Sequence, residues 1–522
     1  MNILTIDIKT RSCDSIKNNG VFAYAQNKST QIICVTVKKN QANPMVWLPP
    51  ELRRREIISI SDNRLRQTLE EADLIQAFDI TTEFALWKYT LCRLYPWFPE
   101  IPVRKLSCIS ARAAYFGMNF PIRALMEEIG ISADEQLLSP PDPVIFFHPG
   151  KKIPLEILTS LLRFCMTSVD IEAKIAQKFI ELPPGERHNW LTCLAMNDNG
   201  IFIRKAAIEK QLDQVERMNE ELQEEFHAIT GIVNPMNGDA LMAYINKNGI
   251  SLKNLDQENV EQVLRSMPVC RIRRALEIRK DIVKNNPLRF SRLLSLLGND
   301  SRIRGLWEYH GDVSGSCRIK YLSDIADLNG LMEPGRDHVF RICRFPDLKH
   351  GIFSNVMDCP IQNQLMVGRN LKEYCKKAIL KPGVTSYCGN LKISYFGDFL
   401  KFVLPSGRDL YLYKPELDNS GQLSCKFKYN RVIQRKDVSG SFILHLLEEA
   451  IVSDVVFDHL TLLRQNFFTP VLATSFDIVT EDPILNEGDE FFQDVISSVP
   501  AWLHGNSVSP VMCLCSTWNS ES

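Results

Sequence analysis

The chain reads as a multidomain protein of mixed class: an α/β segment, then a helical segment, then an α+β segment. Three observations predict this. Over residues 1–100, short apolar or alternating runs such as LTIDI and QIICVTV lie between helix-like stretches. From His188 to about Leu297 the apolar spacing is helical, broken only by turns. From Tyr387 the texture changes to strand-like alternation, LKISYFGDFLKFVLPSGRDLYLYKPEL, with a Ser-Gly turn. A length of 522 residues leaves room for several domains of the usual ~100–200 residues.

Taken in order, LTIDI is a strand and QIICVTV a second, and DNRLRQTLEEADLIQAF is a helix running into a third strand. RALMEEIGI and LEILTSLLRFCMTSVDIEAKIAQKFIEL are amphipathic helices, separated by the Pro- and Gly-rich loop LLSPPDPVIFFHPGKKIP. Pro183, Pro184 and Gly185 mark a boundary, giving segments 1–185, 186–330 and 331–522. The second begins with a short helix, an Asn-Gly turn and a long amphipathic helix, followed by NVEQVLRS and RIRRALEIRKDIVK. In the third, SGSFILHLLEEAIVSDVVFDHLTLL is one long helix, VLATSFDIVTEDP one strand and EFFQDVISSVPAWL a closing helix.

Composition excludes several classes. No run approaches the ~18–20 apolar residues of a membrane span, and no secretory leader is visible, so the expectation is a cytoplasmic protein without a membrane partner. Fifteen cysteines are scattered without paired CxxC units or zinc spacing, which reads as reduced thiols. Net charge is −1, so any nucleic-acid contact must use locally clustered positive charge. No P-loop or dinucleotide fingerprint occurs. His188, His310 and His445 have no Cys or acid partner at ligand spacing and read as ordinary polar or core residues. One feature points to chemistry. A strand delivering Asp-x-Glu commonly holds a catalytic metal, and here the strand delivers Asp7 and then Lys9.

The ordered set of LTIDIKTRSCDSIKNNGVFAYAQ, IQAFDITTEFALW, LLRFCMTSVDIEAKI, WLTCLAMNDNGIFIRKAAI, the basic run ending SLLGNDSRIRGLWEYHG, and VLATSFDIVTE resembles the phage-type family A DNA polymerases, the DNA polymerase I-like enzymes with a 3′–5′ exonuclease domain. The resemblance implies a ribonuclease-H-like exonuclease domain over 1–185, a helical thumb over 186–330, and a reduced palm over 331–522 lacking most of the fingers. It also implies a site for Mg²⁺ wherever the family's carboxylates survive.

Most do not. The first exonuclease motif should be Asp-x-Glu, and Lys9 follows Asp7. In the second, Glu83 matches the acid while Asp79 replaces Asn. The third should be Tyr-x-x-x-Asp, and Phe164 and Ser168 stand there; Asp170 lies roughly 200° around the helix. Asp7 and Glu83 are therefore remnant ligands, and Lys9 is expected to pair with both in place of the metal. In the polymerase half no Asp-Tyr-Ser-x-x-Glu strand is found. Ser475, Phe476 and Asp477 fall where His-Asp-Glu belongs, so Phe476 replaces the catalytic Asp, or Asp477 stands there after a one-residue slip. The Arg-Thr-Gly-Arg turn is reduced to Ser314-Gly315-Ser316-Cys317.

What survives is positive charge in the thumb-like stretch: Arg271, Arg273, Arg274, Arg279, Lys280, Lys284, Arg289 and Arg292 outnumber Glu277 and Asp281. The expectation is an inactive DNA-binding or replication-associated scaffold that engages DNA or a replication protein, with no metal or other cofactor. The rivals are an active polymerase or exonuclease, marked by at least three carboxylates around Asp7 or Asp477, and a protein-interaction module without a DNA role.

Overall fold

In the computed structural model the described residues are 1–132, 148–250, 252–320, 331–332, 338–345, 364–429, 432–474, 477–484, 488–498, 502 and 514–518. They form two compact units. The larger takes in Met1–Ile203, Gly298–Asp327 and Met332–Ser522, the smaller Arg204–Leu297 and Leu328–Leu331.

The larger unit opens with a five-stranded sheet. Its strands are β1 (Ile3–Arg11), β2 (Gln31–Lys39), β3 (Met45–Trp47), β4 (Leu74–Ala77) and β5 (Leu106–Cys108), in the order β3-β2-β1-β4-β5. β1 is antiparallel to β2 and parallel to β4, and β5 continues the parallel half. Buried on both faces, β2 reads as a continuous apolar run. The helices are α1 (Ile16–Gln26), α2 (Asp62–Glu70), α3 (Ile80–Leu86), α4 (Cys92–Leu94), α5 (Ile109–Tyr115), α6 (Ile122–Glu128), α7 (Leu155–Ala176) and α8 (Pro184–Asn199). Ser61 caps α2 and Asp79 caps α3, each accepting a backbone N–H of the first turn. Pro184 starts α8 at the first helical position, where its missing N–H costs nothing. Trp190 and Leu194 of α8 join the core of the first sheet, which carries the larger unit on to Ile203.

The smaller unit is all helix: α9 (Lys205–Thr230), α10 (Gly238–Lys247), α11 (Gln257–Ser266), α12 (Arg271–Lys284) and α13 (Pro287–Leu296). Its own core gathers Phe226, Leu241, Ile245, Leu252 and Leu276. Gly231 ends α9 in the left-handed region, at φ 76°.

Back in the larger unit, two small strand pairs follow, β6 (Ile201–Phe202) with β7 (Arg302–Ile303) and β8 (Trp307–Glu308) with β9 (Arg318–Ile319). The remaining elements are β10 (His338–Arg344), α14 (Gln364–Leu380), β11 (Ser386–Cys388), β12 (Leu391–Phe396), β13 (Phe399–Val403), β14 (Asp409–Tyr413), β15 (Glu416–Leu417), β16 (Leu423–Tyr429), β17 (Val432–Asp437), α15 (Gly440–Gln465), β18 (Pro470–Ala473), β19 (Asp477–Pro483), α16 (Gly488–Ile496) and β20 (Leu514–Trp518). VLATSFDIVTEDP is thus two antiparallel strands rather than one. The Thr474 N–H donates to the Asp477 carbonyl at 2.7 Å, and the Asp477 N–H to Thr474 Oγ1 at 2.9 Å.

An aromatic seam joins the α5 region to the β11–β14 sheet. Phe116 lies 5.0 Å from Tyr411 and 5.4 Å from Phe399, and Tyr115 lies 5.4 Å from Tyr411. Helices α14 and α15 cross at two glycines. A Cβ on Gly440 would meet the Gly368 carbonyl oxygen at 2.2 Å, a backbone atom that cannot rotate away. Gly440→Ala is therefore expected to cost about 1–3 kcal/mol by prising the two helices apart, checked by urea denaturation.

Candidate functional site

The strand that begins the chain places its acid and its ammonium together. Asp7 and Lys9, two apart on β1, share one face of the sheet, and Lys9 Nζ donates to Asp7 Oδ1 at 2.7 Å. The β1–β2 register shifts between Lys9 and Thr10, a bulge that locally re-aims the strand. The Lys9 ammonium also lies 5.7 Å over the Phe164 ring on α7. Asp7 is 4% exposed, and its second oxygen is buried without a hydrogen-bond partner.

Glu83, buried in the first turn of α3, stands near this pair. Lys9 makes its ion pair with Asp7 and none with Glu83, so the expected two-carboxylate pairing is realised at one carboxylate. Glu83 acts through its field. Burial, then Asp7 and Glu172, push its carboxyl well above the usual range. Burial also works against the Lys9 charge, but Asp7 chiefly outweighs it and the ammonium is held above its ordinary pKa.

Glu172 was not among the residues singled out from the sequence. Phe164, Ser168 and Glu172 follow at four-residue spacing and so share one face of α7. Glu172 is buried, and its carboxylate accepts the Phe78 N–H at 3.0 Å. Burial and Asp7 raise it to about 8. Asp170 faces elsewhere, paired with Lys38 at 2.9 Å and Lys174 at 2.7 Å. Three buried carboxyls therefore share one neighbourhood, and the Lys9 ammonium is bonded to one of them. Among the described residues no three or more His, Cys, Asp or Glu side chains are grouped so as to hold a metal ion. A hard divalent cation needs ionised oxygen ligands. Here one carboxylate is taken by Lys9, and two favour their protonated forms. The residues present do not fit it.

A raised carboxyl in the fold has a signed consequence. Glu172 contributes stability that is fully present below its unfolded pKa and lost as pH rises through about 8. Glu172→Gln, which keeps the amide-accepting oxygen, is expected to stabilise the protein by more than about 1 kcal/mol at pH 8.5 and to make little difference at pH 5, checked by thermal melts across that range.

The second candidate centre lies on the sheet β18-β19-β10-β20. Ser475 and Phe476 lie outside the described residues. Asp477 begins β19, directly across from Arg344 at the end of β10. Arg344 Nε donates to Asp477 Oδ1 at 2.8 Å. The partner that Asp477 lacked in the sequence is a guanidinium rather than a second carboxylate. The later acids of β19 are also committed: Arg302 takes Glu481 with both terminal nitrogens at 2.6 and 2.8 Å, and Arg341 lies 3.5 Å from Asp482.

The basic stretch of the smaller unit offers less charge than its composition suggests. Arg273 pairs with Glu277, Arg274 grips Glu225 with two donors at 2.7 Å, Arg279 donates to the Pro235 carbonyl and Lys280 pairs with Glu261. Arg289 lies 5.3 Å from the Phe290 ring, and Arg292 is half-buried. Arg271 and Lys284 are exposed.

Elsewhere in the larger unit lies a buried ionic network. Arg408 donates to Asp454 and to the carbonyls of Ser314 and Ala450, and approaches Glu186 at 3.8 Å. His310 Nε2 lies 3.2 Å from Glu186 Oε2, and Tyr309 donates to the same oxygen. His310 thus has an acid partner, brought from another element. Burial opposes the Glu186 charge, yet His310 and Arg408 hold its carboxyl down at about 2. At Asp454 burial wins and lifts the carboxyl to about 6.

Fold and sites together describe a multidomain protein with carboxylate positions on two separate sheets, each paired to a cation. No family model matches the chain. Over 150 residues it is 22% identical to a DNA polymerase of Bacillus phage SP02, a match spanning 28% of this chain and 23% of that protein. Among solved structures, the POL domain of Pol1 from M. smegmatis, in complex with DNA primer-template and dNTP, superposes with a TM-score of 0.58 at 10% identity, covering 98% of this chain and 94% of that one. The chain is thus similar to a phage DNA polymerase over part of its length and shares the fold of a polymerase domain. Among the described residues no helix is long and apolar enough to cross a membrane.

Proposed function

We propose that the chain is a DNA-binding protein on a family A-like polymerase fold whose two carboxylate centres are closed by basic side chains, so that it neither trims nor extends a strand. One observation, made twice, carries the reading: an aspartate at each centre is held by a cation, Asp7 by Lys9 at 2.7 Å and Asp477 by Arg344 at 2.8 Å. On this reading the first sheet is the ribonuclease-H-like exonuclease domain, the helical unit the thumb and the β10–β19 sheet the reduced palm. No Mg²⁺ or other cofactor is required.

A count of acids alone favours an active exonuclease, since Asp7, Glu83 and Glu172 make three. The position of Lys9 decides against it. An ammonium in hydrogen-bond contact with the first carboxylate would repel a divalent ion bound there.

DNA binding is supported by the fold shared with a polymerase solved on primer-template DNA and by the exposed charges of Arg271 and Lys284. With the neighbouring arginines engaged internally, the phosphate contacts are few, so the affinity is modest and falls with salt only by the slope those few contacts set. The test is binding of a labelled primer–template at several salt concentrations. Arg271→Glu with Lys284→Glu should weaken binding and flatten its salt dependence. Binding that ignores these charges would place the DNA contacts elsewhere, and no binding at all would point to a protein partner instead.

A further inference from the structure

Two thiols from distant parts of the chain meet inside the larger unit. Cys193 lies on α8 and Cys317 immediately before β9, 124 residues apart, and their Sγ atoms are in contact at 2.9 Å. A disulfide holds its sulfurs at ~2.05 Å, so bond formation asks for less than about 1 Å of approach. Cys193 is 4% exposed and Cys317 is half-buried. Both line a cavity of about 30 Å³, together with Ser316, Ser453, Phe457 and Thr474. A water needs only ~10–15 Å³ of such space, and hydrogen peroxide is little larger. A peptide disulfide does not fit in it. The two sulfurs are not equivalent. Arg464, in the last turn of α15, donates to Thr192 Oγ1 at 2.6 Å and stands within electrostatic range of Cys193. A guanidinium there favours the Cys193 thiolate, the nucleophilic form. Cys317 feels the opposite field. Its bond to Cys193, then burial and the charges of Glu186 and Asp312, push its thiol well up. Cys193 is therefore placed to attack, while Cys317 keeps its proton. A further pair, Cys34 and Cys165, has its sulfurs 3.8 Å apart and both residues 0% exposed, out of reach of any oxidant in solution.

We propose that Cys193 and Cys317 are an oxidation site for hydrogen peroxide, which converts the dithiol into an intrachain disulfide. The Cys193 sulfur attacks one peroxide oxygen and the O–O bond breaks. The departing hydroxide takes up the proton that the Cys193 thiol gave up and leaves as water. The Cys317 sulfur then attacks the sulfur of the Cys193 sulfenic acid. The hydroxyl leaves with the Cys317 proton as a second water, and the S–S bond forms. Two thiols are oxidised and one peroxide is reduced to two waters. The bond ties α8 to the turn before β9 and closes a loop that contains Arg204–Leu297, the helices of the smaller unit. Closing so long a loop constrains the unfolded chain, so the oxidised protein is the more stable form. The proposal is independent of the nucleic-acid reading above, which uses none of these residues.

The experiment exposes the reduced full chain, kept dilute, to a small excess of hydrogen peroxide. Remaining thiols are then alkylated and linked peptides mapped by mass spectrometry. Cys193 is expected to be linked to Cys317, with Cys34 and Cys165 still reduced. The urea midpoint should rise on oxidation and fall back with dithiothreitol. Cys317→Ser should abolish the link and the midpoint shift, leaving a Cys193 sulfenic acid that dimedone traps, whereas Cys193→Ser should leave Cys317 untrapped. Arg464→Met should slow formation of the link at least about fivefold, and Arg464→Lys should retain the rate. Should any variant fail to fold, the peptide map and the midpoint shift of the parent chain carry the test. The proposal is overturned if peroxide does not link Cys193 to Cys317 in the folded chain, if the link appears only in urea, or if it forms without raising the urea midpoint.

Discussion

Arg408→Met is expected to destabilise the protein by about 3–5 kcal/mol, because it leaves two buried acids without their cation. Arg408 and Asp454 are 8% and 5% exposed at the side chain, and Glu186 is as deeply buried. Met fills much of the volume of the arginine stem, so the loss reports charge rather than a cavity. The Ser314 and Ala450 carbonyls lose their donor as well. The effect depends on pH with a definite sign. Asp454, already raised to about 6, gives stability that is present below its unfolded pKa and lost as pH rises through about 6. Without the guanidinium its carboxyl climbs further, so the deficit of the variant is larger at pH 8 than at pH 5. Urea denaturation at both pH values checks this. A loss below about 1 kcal/mol at pH 8 would mean that water reaches the network.

Lys9→Ala tests the half-buried cation at the first centre. Removing the ammonium leaves the Asp7 carboxylate without its cation, beside two carboxyls that favour their protonated forms, at a cost of about 2–4 kcal/mol at pH 8 that shrinks as Asp7 protonates at lower pH. The second expectation is more specific. With the ammonium gone, the three carboxyls can ionise around a hard cation, and millimolar Mn²⁺ should raise the melting temperature of the variant. The parent protein should melt at the same temperature with Mn²⁺ or with a chelator. A parent protein stabilised by Mn²⁺ and a variant indifferent to it would show that Lys9 does not stand in for a metal.

The parts of the site carried by local spacing were legible in the sequence. Asp7 and Lys9 lie two apart on a strand, so their contact follows from the strand period. Glu83 follows Asp79 by one helical turn. The four-residue period of α7 also reaches Glu172, but the family pattern stops at Ser168, and nothing in the sequence marks a carboxylate one turn further on. Arg344 was beyond reach for a different reason. Its partner Asp477 comes from a strand 133 residues away, and only the β10–β19 register shows that the two are neighbours. The same distance effect misled the reading of charge. Arg274 counts as a free cation in the sequence, yet it is bound to Glu225, 49 residues earlier on α9. His310 gained Glu186 in the same way, across 124 residues. The fold showed the same division. The long helices and the β1–β2 pair follow from periodicity, whereas nothing in the period of VLATSFDIVTEDP separates it into the antiparallel pair β18 and β19.

The most direct test of the account follows an end-labelled primer annealed to a template, incubated with the purified protein, Mg²⁺ or Mn²⁺ and all four deoxynucleotides, and resolved on a denaturing gel. The closed-site reading predicts a primer that is bound, in a salt-dependent manner, and unchanged in length. Trimming that disappears in Asp7→Ala, or extension that disappears in Asp477→Ala, would contradict it.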